Sequence, residues 1–318
     1  MKKFFLCVIL VLVIIASGMI VFSNGLINSE SKKIKIVASN FASYDFLRAI
    51  IGDVEDIDLK FLIGPGKQTH SFDPTAKDLI DIQNSDLFVY IGGEFENWSG
   101  RVLETIDTSK TKVICIADYV DKLKEEDVDG AEQEEEEEIE GSFNEHIWTS
   151  PSNAIKMVQA LKEAIIELDP ENSEEYSKNA EEYIEEINDV KAKIQEIVDK
   201  RARNRLVFGD KMPMQYFITE FNLDVSSAFN GCSTDTEPSS STIAYLVKRI
   251  REDNIPVVLY CELNNGRVAK IIAGEADENV QTMQIQTLHN VSKDDFAHGE
   301  TWVSLMTRNL DVLKKALD

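Results

Sequence analysis

Apolar residues in this chain fall into short runs separated by longer amphipathic stretches. Ile34 to Ala38, Leu59 to Ile63, Asp86 to Ile91 and Lys112 to Ile116 read as buried strands. Asn40 to Ile51 carries Tyr44, Leu47, Ile50 and Ile51 at helical spacing. Gly64, Pro65 and Gly66 end the second run and turn the chain. Asp73 and Pro74 then predict the cap and first residue of a helix whose inward stripe is Ala76, Leu79 and Ile80. Strands alternating with helices predict a parallel sheet with right-handed crossovers.

Ser150 and Pro151 start a further helix with the stripe Ala154, Met157, Val158, Leu161 and Ile165. Ser173 to Arg203 keeps the helical period from Tyr176 to Val198, which is about 45 Å of helix if unbroken. Its stripe lacks a clean heptad, so a brace along two lobes is expected rather than a coiled coil. A second alternating region follows. Leu206 to Phe208, Pro256 to Tyr260 and Gln281 to Ile285 read as strands. Met214 to Phe221, Thr242 to Asp253, Val268 to Glu275 and Trp302 to Leu317 read as helices. The expected architecture is α/β: two lobes, each a small mostly parallel sheet flanked by helices, joined by one long linking helix. The first lobe takes residues 31–170, the linking helix 171–203 and the second lobe 204–318.

Composition changes this picture in three places. The 318 residues carry a formal net charge of -24, which argues against nucleic acid as a partner and favours cations. Eleven acidic residues and no basic one lie between Glu125 and Glu140, within the first lobe. Such a run repels itself and reads as a solvated loop, or as a weak collector of cations at the mouth of the protein. Residues 1–30 read as a signal peptide or an N-terminal membrane anchor. Lys2 and Lys3 precede an apolar run from Phe4 to Phe22 that directs export. Small residues at Ala16, Gly18, Ser23 and Gly25 suit cleavage, and the length of the run suits an anchor. Cys7 comes too early in the run for a lipoprotein cysteine.

Cys115 is expected as a core thiol. Export permits a disulfide between Cys232 and Cys261, which sequence does not decide. There is no Cys-x-x-Cys to support a sulfur-based zinc knuckle.

Four histidines occur, His70, His146, His289 and His298. A lone loop histidine is ordinarily a surface residue. Here His70 and His146 both precede a helix that follows a strand, where open α/β sheets place ligands. The second half offers Asp210, Glu237, Glu262 and His289 at comparable loop ends. Imidazoles with a carboxylate or a third imidazole are first-row metal chemistry, tetrahedral for zinc. A site split between lobes is expected to bind by closing them.

Several stretches together resemble a known family. They are Pro65-Gly66 with His70, Asp73-Pro74-Thr75, Ser85-Asp86-Leu87-Phe88-Val89-Tyr90, Glu96-Asn97-Trp98, His146-Ile147-Trp148 with Pro151, Glu237-Pro238-Ser239, and Asn309-Leu310. Over essentially everything after the export segment the chain resembles the zinc- or manganese-type solute-binding proteins of bacterial ABC importers, the cluster A-I family. The resemblance implies two lobes, a rigid linking helix and no catalytic step. It implies zinc, with manganese as the alternative, carried as transported cargo and delivered to a membrane permease. The export segment places the protein at the outer face of the cytoplasmic membrane or in the periplasm, and a monomer is expected. His70 and His146 match the family's first two ligands.

Two departures stand out. Gly209-Asp210-Lys211, with a one-residue insertion, occupies the place of a usual histidine, and Gln286 with His289 replaces a usual acidic residue. The expected second-lobe ligands are therefore Asp210 and His289, with Glu237 as the nearest substitute or as a group orienting an imidazole. Three nitrogens and one carboxylate favour zinc, and an oxygen-richer set favours manganese. The competing readings are a metal-dependent hydrolase and a surface adhesion protein with a structural metal. No His-Glu-x-x-His and no Gly-x-Ser-x-Gly supports the first.

Overall fold

Eight short strands form two parallel sheets in the computed structural model, which describes residues 33–67, 69, 71–131, 143–230 and 237–318. The first sheet contains β1 (Ile34–Ala38), β2 (Ile57–Phe61), β3 (Leu87–Tyr90) and β4 (Lys112–Cys115) in the order β2-β1-β3-β4. The second contains β5 (Arg205–Lys211), β6 (Asp224–Phe229), β7 (Val257–Cys261) and β8 (Gln281–Ile285) in the order β6-β5-β7-β8. In both, the chain steps to one edge and then crosses to the other side. The crevice beyond the carboxyl ends of β1 and β3, or of β5 and β7, is where such sheets bind ligands.

Helices cover both faces of each sheet, so the central strands β1, β3, β5 and β7 bury apolar residues on both sides. In the first lobe these are α1 (Phe41–Ile51), α2 (Ala76–Gln83), α3 (Trp98–Leu103) and α4 (Pro151–Leu168). The linking helix α5 runs from Ser173 to Asp199. The second lobe adds α6 (Gln215–Glu220), α7 (Ser240–Glu252), α8 (Arg267–Ala276), α9 (Lys293–Ala297) and α10 (Trp302–Leu317). Among the described residues no helix is long and apolar enough to cross a membrane.

Alternation along the strands sorts the core into three bodies. Val37 and Phe88 face outward onto Ile82, Trp98 and Val102. Val207 and Val258 face outward onto Leu246, Ile250, Ala269 and Ile272. There α8 comes so close that a Cβ at Gly209 would lie 2.5 Å from the Ala269 Cα. The inward residues Ile36, Val89, Leu206, Phe208 and Leu259 belong to one continuous core with α1, α4, α5 and α10. The lobes are thus not two bodies meeting only at a cleft. The stripe of α5 (Tyr176, Ala180, Tyr183, Ile187, Val190, Ile194 and Val198) is buried against α1, α4 and α10.

Asp45 pins this junction. Its Oδ2 accepts from the Tyr183 hydroxyl at 2.5 Å and from the Trp302 backbone N–H at 2.6 Å, and its Oδ1 accepts from Arg48 at 2.5 Å. One buried carboxylate therefore ties α1 to α5 and α10. Burial pushes the Asp45 carboxyl up, and Arg48 with the two other donors pulls it back. Burial, then Asp45, raises the Tyr183 hydroxyl well above its ordinary range.

Four local expectations change. The second strand is Ile57–Phe61, displaced toward the N-terminus, because it registers Ile57 to Phe61 against Ile34 to Ala38. Helix α2 is capped by Thr75 rather than started by Pro74: Thr75 and Asp78 close a capping box, leaving Asp73 in the loop. Cys115 is half-buried, donating to the Ile91 carbonyl at 3.1 Å, and burial raises its thiol. The acidic run begins as packed structure. Asp129 pairs with Arg205 at 3.2 Å and Arg249 at 3.4 Å, and its backbone bridges in parallel to Ser226 of β6. Glu132 to Glu140 and Cys232 lie outside the described residues.

Candidate metal centre

His146 and His289 come from different lobes and meet. His146 precedes a short 3-10 turn, Ile147–Thr149, which leads to Ser150, the N-cap of α4. His289 follows β8 by a loop in which Leu288 takes φ 60, a conformation rare for a branched side chain. The two rings lie 5.3 Å apart, centroid to centroid, inclined by 29°.

Aromatic walls enclose the pair. The Phe95 ring stands nearly perpendicular to both, its centroid 5.2 Å from that of His289 and 6.4 Å from that of His146. Trp148 lies 5.3 Å from His146 and 6.0 Å from His289. The loop that carries Phe95 is held from two sides by carboxylates. Glu145 Oε1 accepts from the N–H groups of Glu94 and Phe95 at 2.7 and 3.1 Å. Glu96 Oε2 accepts from those of Ile91 and Gly92 at 2.6 and 3.0 Å.

Hydrogen bonds across the lobes fix the two histidine loops relative to each other. Trp302 Nε1 donates to the Trp148 carbonyl at 2.9 Å. Trp148 Nε1 donates to the Thr287 carbonyl at 3.0 Å. Trp148 follows His146 by two residues and Thr287 precedes His289 by two. Glu262 then locks the second loop, accepting from the backbone N–H groups of Thr287 at 2.7 Å and His289 at 2.9 Å. Burial raises the Glu262 carboxyl and these donors oppose the shift.

The other expected ligands are placed as follows. His70 lies outside the described residues, but its neighbour Thr69 is buried, with its hydroxyl 2.9 Å from His289 Nδ1 and 3.0 Å from Nε2. The loop expected to supply His70 thus reaches the pair. Asp210 sits where β5 shifts register between Phe208 and Lys211, the place of the one-residue insertion. Its Oδ2 accepts from Asn264 at 2.6 Å, and burial raises its carboxyl against donors that include Lys211 and Cys261 N–H. Glu237 is exposed and ion-paired with Arg267 on α8. Among the described residues no three His, Cys, Asp or Glu side chains converge as a metal site. No sequence pattern marks Phe95 or Trp302 as part of this centre, and Glu262, a candidate at a loop end by sequence, spends its carboxylate on the backbone of the His289 loop. The signal the sequence offers is the size of Trp302 at the first position of α10.

Glu96 gives a pH prediction. It is fully buried and its Oε1 has no partner. Burial raises its carboxyl from 4.5 to about 7; Ser39 and the Ile91 and Gly92 amides oppose the shift, and Glu145 adds to it. A raised folded-state value contributes stability that is complete below pH 4.5 and is lost as pH rises toward 7. The loss is about 3 kcal/mol at 1.36 kcal/mol per unit. Glu96→Gln cannot ionise, so its stability relative to the native chain should rise by that amount between about pH 4.5 and 8. Urea unfolding of both proteins across this range tests it; a difference that stays flat with pH would show that Glu96 is ionised throughout.

The family model described as "ZnuA: Zinc-uptake complex component A periplasmic" matches residues 36–316. The chain is 29% identical over 287 residues to the zinc-binding lipoprotein AdcA of Streptococcus pneumoniae strain R6, covering 90% of this chain and 56% of that protein. It therefore spans little more than half the length of that relative. It is 29% identical over 301 residues to the high-affinity zinc uptake system protein ZnuA of Bacillus subtilis strain 168, covering 93% of this chain and 91% of that one. The Zn(II)-bound ZnuA-like domain of Streptococcus pneumoniae AdcA superposes with a TM-score of 0.74 at 27% identity, over 90% of this chain and 99% of that domain. With two parallel sheets, a linking helix and a match running through both lobes, the chain belongs to the ZnuA family of periplasmic zinc-uptake components.

Proposed function

We propose that this protein captures zinc between its lobes outside the cytoplasmic membrane and delivers it to an ABC permease. The observation that carries the reading is the meeting of His146 and His289 across the lobes, beside the loop that leads to His70. Three imidazoles supply the nitrogen donors, and Asp210 is the proposed carboxylate, released from Asn264 when the ion binds. Glu237, paired with Arg267 at the surface, is not in the proposed set. Nitrogen-rich ligation favours zinc over manganese. The names of the AdcA and ZnuA relatives support the same ion.

Capture is local rather than a closing of two free bodies. The lobes share one core, and the Trp302–Trp148–Thr287 bonds already join them. The ion is taken up by the short loops around it, with α5 as a fixed spacer. A transport role fits the carboxylates beside the histidines, because Glu145 and Glu262 hold loops by accepting backbone N–H groups. The N-terminal segment, as signal or anchor, and the monomeric state belong to the same proposal. Calorimetry of the metal-free protein should give one tight zinc site per chain and weaker binding of manganese. A manganese affinity above that for zinc would overturn the choice of ion, and absence of a tight site would overturn the function.

A further inference from the structure

The orientation of His146 is set by a chain of groups that begins in the acidic segment. Asn144 is fully buried. Its Nδ2 donates to Glu125 Oε2 at 2.7 Å. Its Oδ1 lies 3.1 Å from the His146 backbone nitrogen and 3.1 Å from His146 Nδ1. Each step forces the next. A carboxylate only accepts, so the amide nitrogen of Asn144 must face Glu125. That leaves the amide oxygen toward the histidine. A carbonyl oxygen also only accepts, so Nδ1 must carry the proton. The lone pair of the neutral ring is then on Nε2.

Glu125 is itself held by the other lobe. The segment around it leaves the first sheet and runs along the second. Tyr216 OH accepts from the Leu123 N–H at 3.0 Å, and Gln215 Nε2 donates to the Lys124 carbonyl at 2.8 Å. Beyond Glu125, the Val128 N–H donates to Asn230 Oδ1 at 2.9 Å, and Asp129 is clasped by Arg205 and Arg249. The carboxylate thus stands on a strap fixed to the second lobe on both sides, while the ring it controls belongs to the first.

We infer that Glu125 and Asn144 are positioning residues for His146, holding the ring as its Nδ1–H tautomer with Nε2 directed to the metal. This rests on the proposed role of His146 as a ligand. Partners of this kind typically change metal affinity 10- to 100-fold when removed. It also gives the first acidic residue of the run a role separate from the rest. Glu125 acts through one amide, and its carboxylate does not touch the ion.

The test reads the tautomer directly. Full-length metal-free protein labelled with 15N-histidine is compared at pH 8 by long-range 1H–15N correlation, with His146 assigned by its loss in His146→Ala. The native ring should show Nδ1 protonated. Asn144→Leu should give a mixture of tautomers and roughly 10- to 100-fold weaker zinc binding. The double variant Glu125→Gln with Asn144→Asp reverses the donor and acceptor between the two residues but still offers His146 an oxygen. It should restore both the tautomer and the affinity, which a merely structural role would not require. A native ring protonated at Nε2, or Asn144→Leu with tautomer and affinity both unchanged, overturns the inference, as does a changed tautomer with unchanged affinity. Zinc binding by His146→Ala separates the two readings: native affinity there removes His146 as a ligand, and a loss of a hundredfold or more keeps it whatever the tautomer shows. If Asn144→Leu does not fold, the native spectrum and the double variant still decide.

Discussion

Alanine at His146 or at His289 is expected to weaken zinc binding at least a hundredfold, about 2.8 kcal/mol at 1.4 kcal/mol per tenfold change. Each imidazole is proposed to donate a lone pair to one shared ion, and neither can be replaced by the aromatic walls of Phe95 and Trp148. Because the rings lie 5.3 Å apart, the substitutions should not be independent. The double variant should lose clearly less than the product of the two single losses, since an ion that has lost one ligand gains little from the other. Competition against a chromogenic chelator measures all three variants. Single variants within threefold of the native affinity would remove the pair from the site, and strictly multiplicative losses would place the residues at separate sites.

Asp45→Ala is expected to be the most destabilising single change away from the metal, at about 3–5 kcal/mol. The substitution strands the Tyr183 hydroxyl and the Trp302 N–H in the core, and each unmet buried donor costs about 1–3 kcal/mol. Arg48 is 31% exposed and keeps some water, so its loss adds less. Tyr183→Phe removes one donor together with its need for a partner and should cost far less. Urea unfolding at pH 7 compares the two. A loss below 1 kcal/mol for Asp45→Ala would mean that the junction of α1, α5 and α10 is held by apolar packing alone.

The sequence exposed what is local. Runs such as Asp86 to Ile91 and stripes such as Tyr176 to Val198 became β3 and α5, because burial follows the period of the apolar residues. Strand β6 escaped notice because its interior residues Ser226 and Ser227 are polar yet fully buried. Ser227 satisfies its hydroxyl on the Phe229 carbonyl at 2.7 Å, a bond that hydropathy cannot anticipate. The start of α2 was misjudged because Asp73 and Thr75 are both fit caps, and only the reach of Asp78 decides between them.

His146 and His289 were legible as scarce histidines in loops. The groups that hold them were not, since they act over long separations in the chain. Asp45 meets Trp302 across 257 positions, and Trp148 meets Thr287 across 139. Long-range bonds also join the two lobes, where loop spacing alone predicts only a site split between them. The acidic run shows the opposite error. Composition made it a single solvated stretch, whereas Asp129 at its start is neutralised by Arg205 and Arg249 from the other lobe.

The most direct test of the central claim is an anomalous difference map at the zinc edge from crystals of the zinc-loaded protein. The account predicts one strong peak between the lobes, with nitrogens of His146 and His289 within about 2.0–2.1 Å of it. A peak held by surface carboxylates, with the His289 ring turned away from the ion, would contradict it.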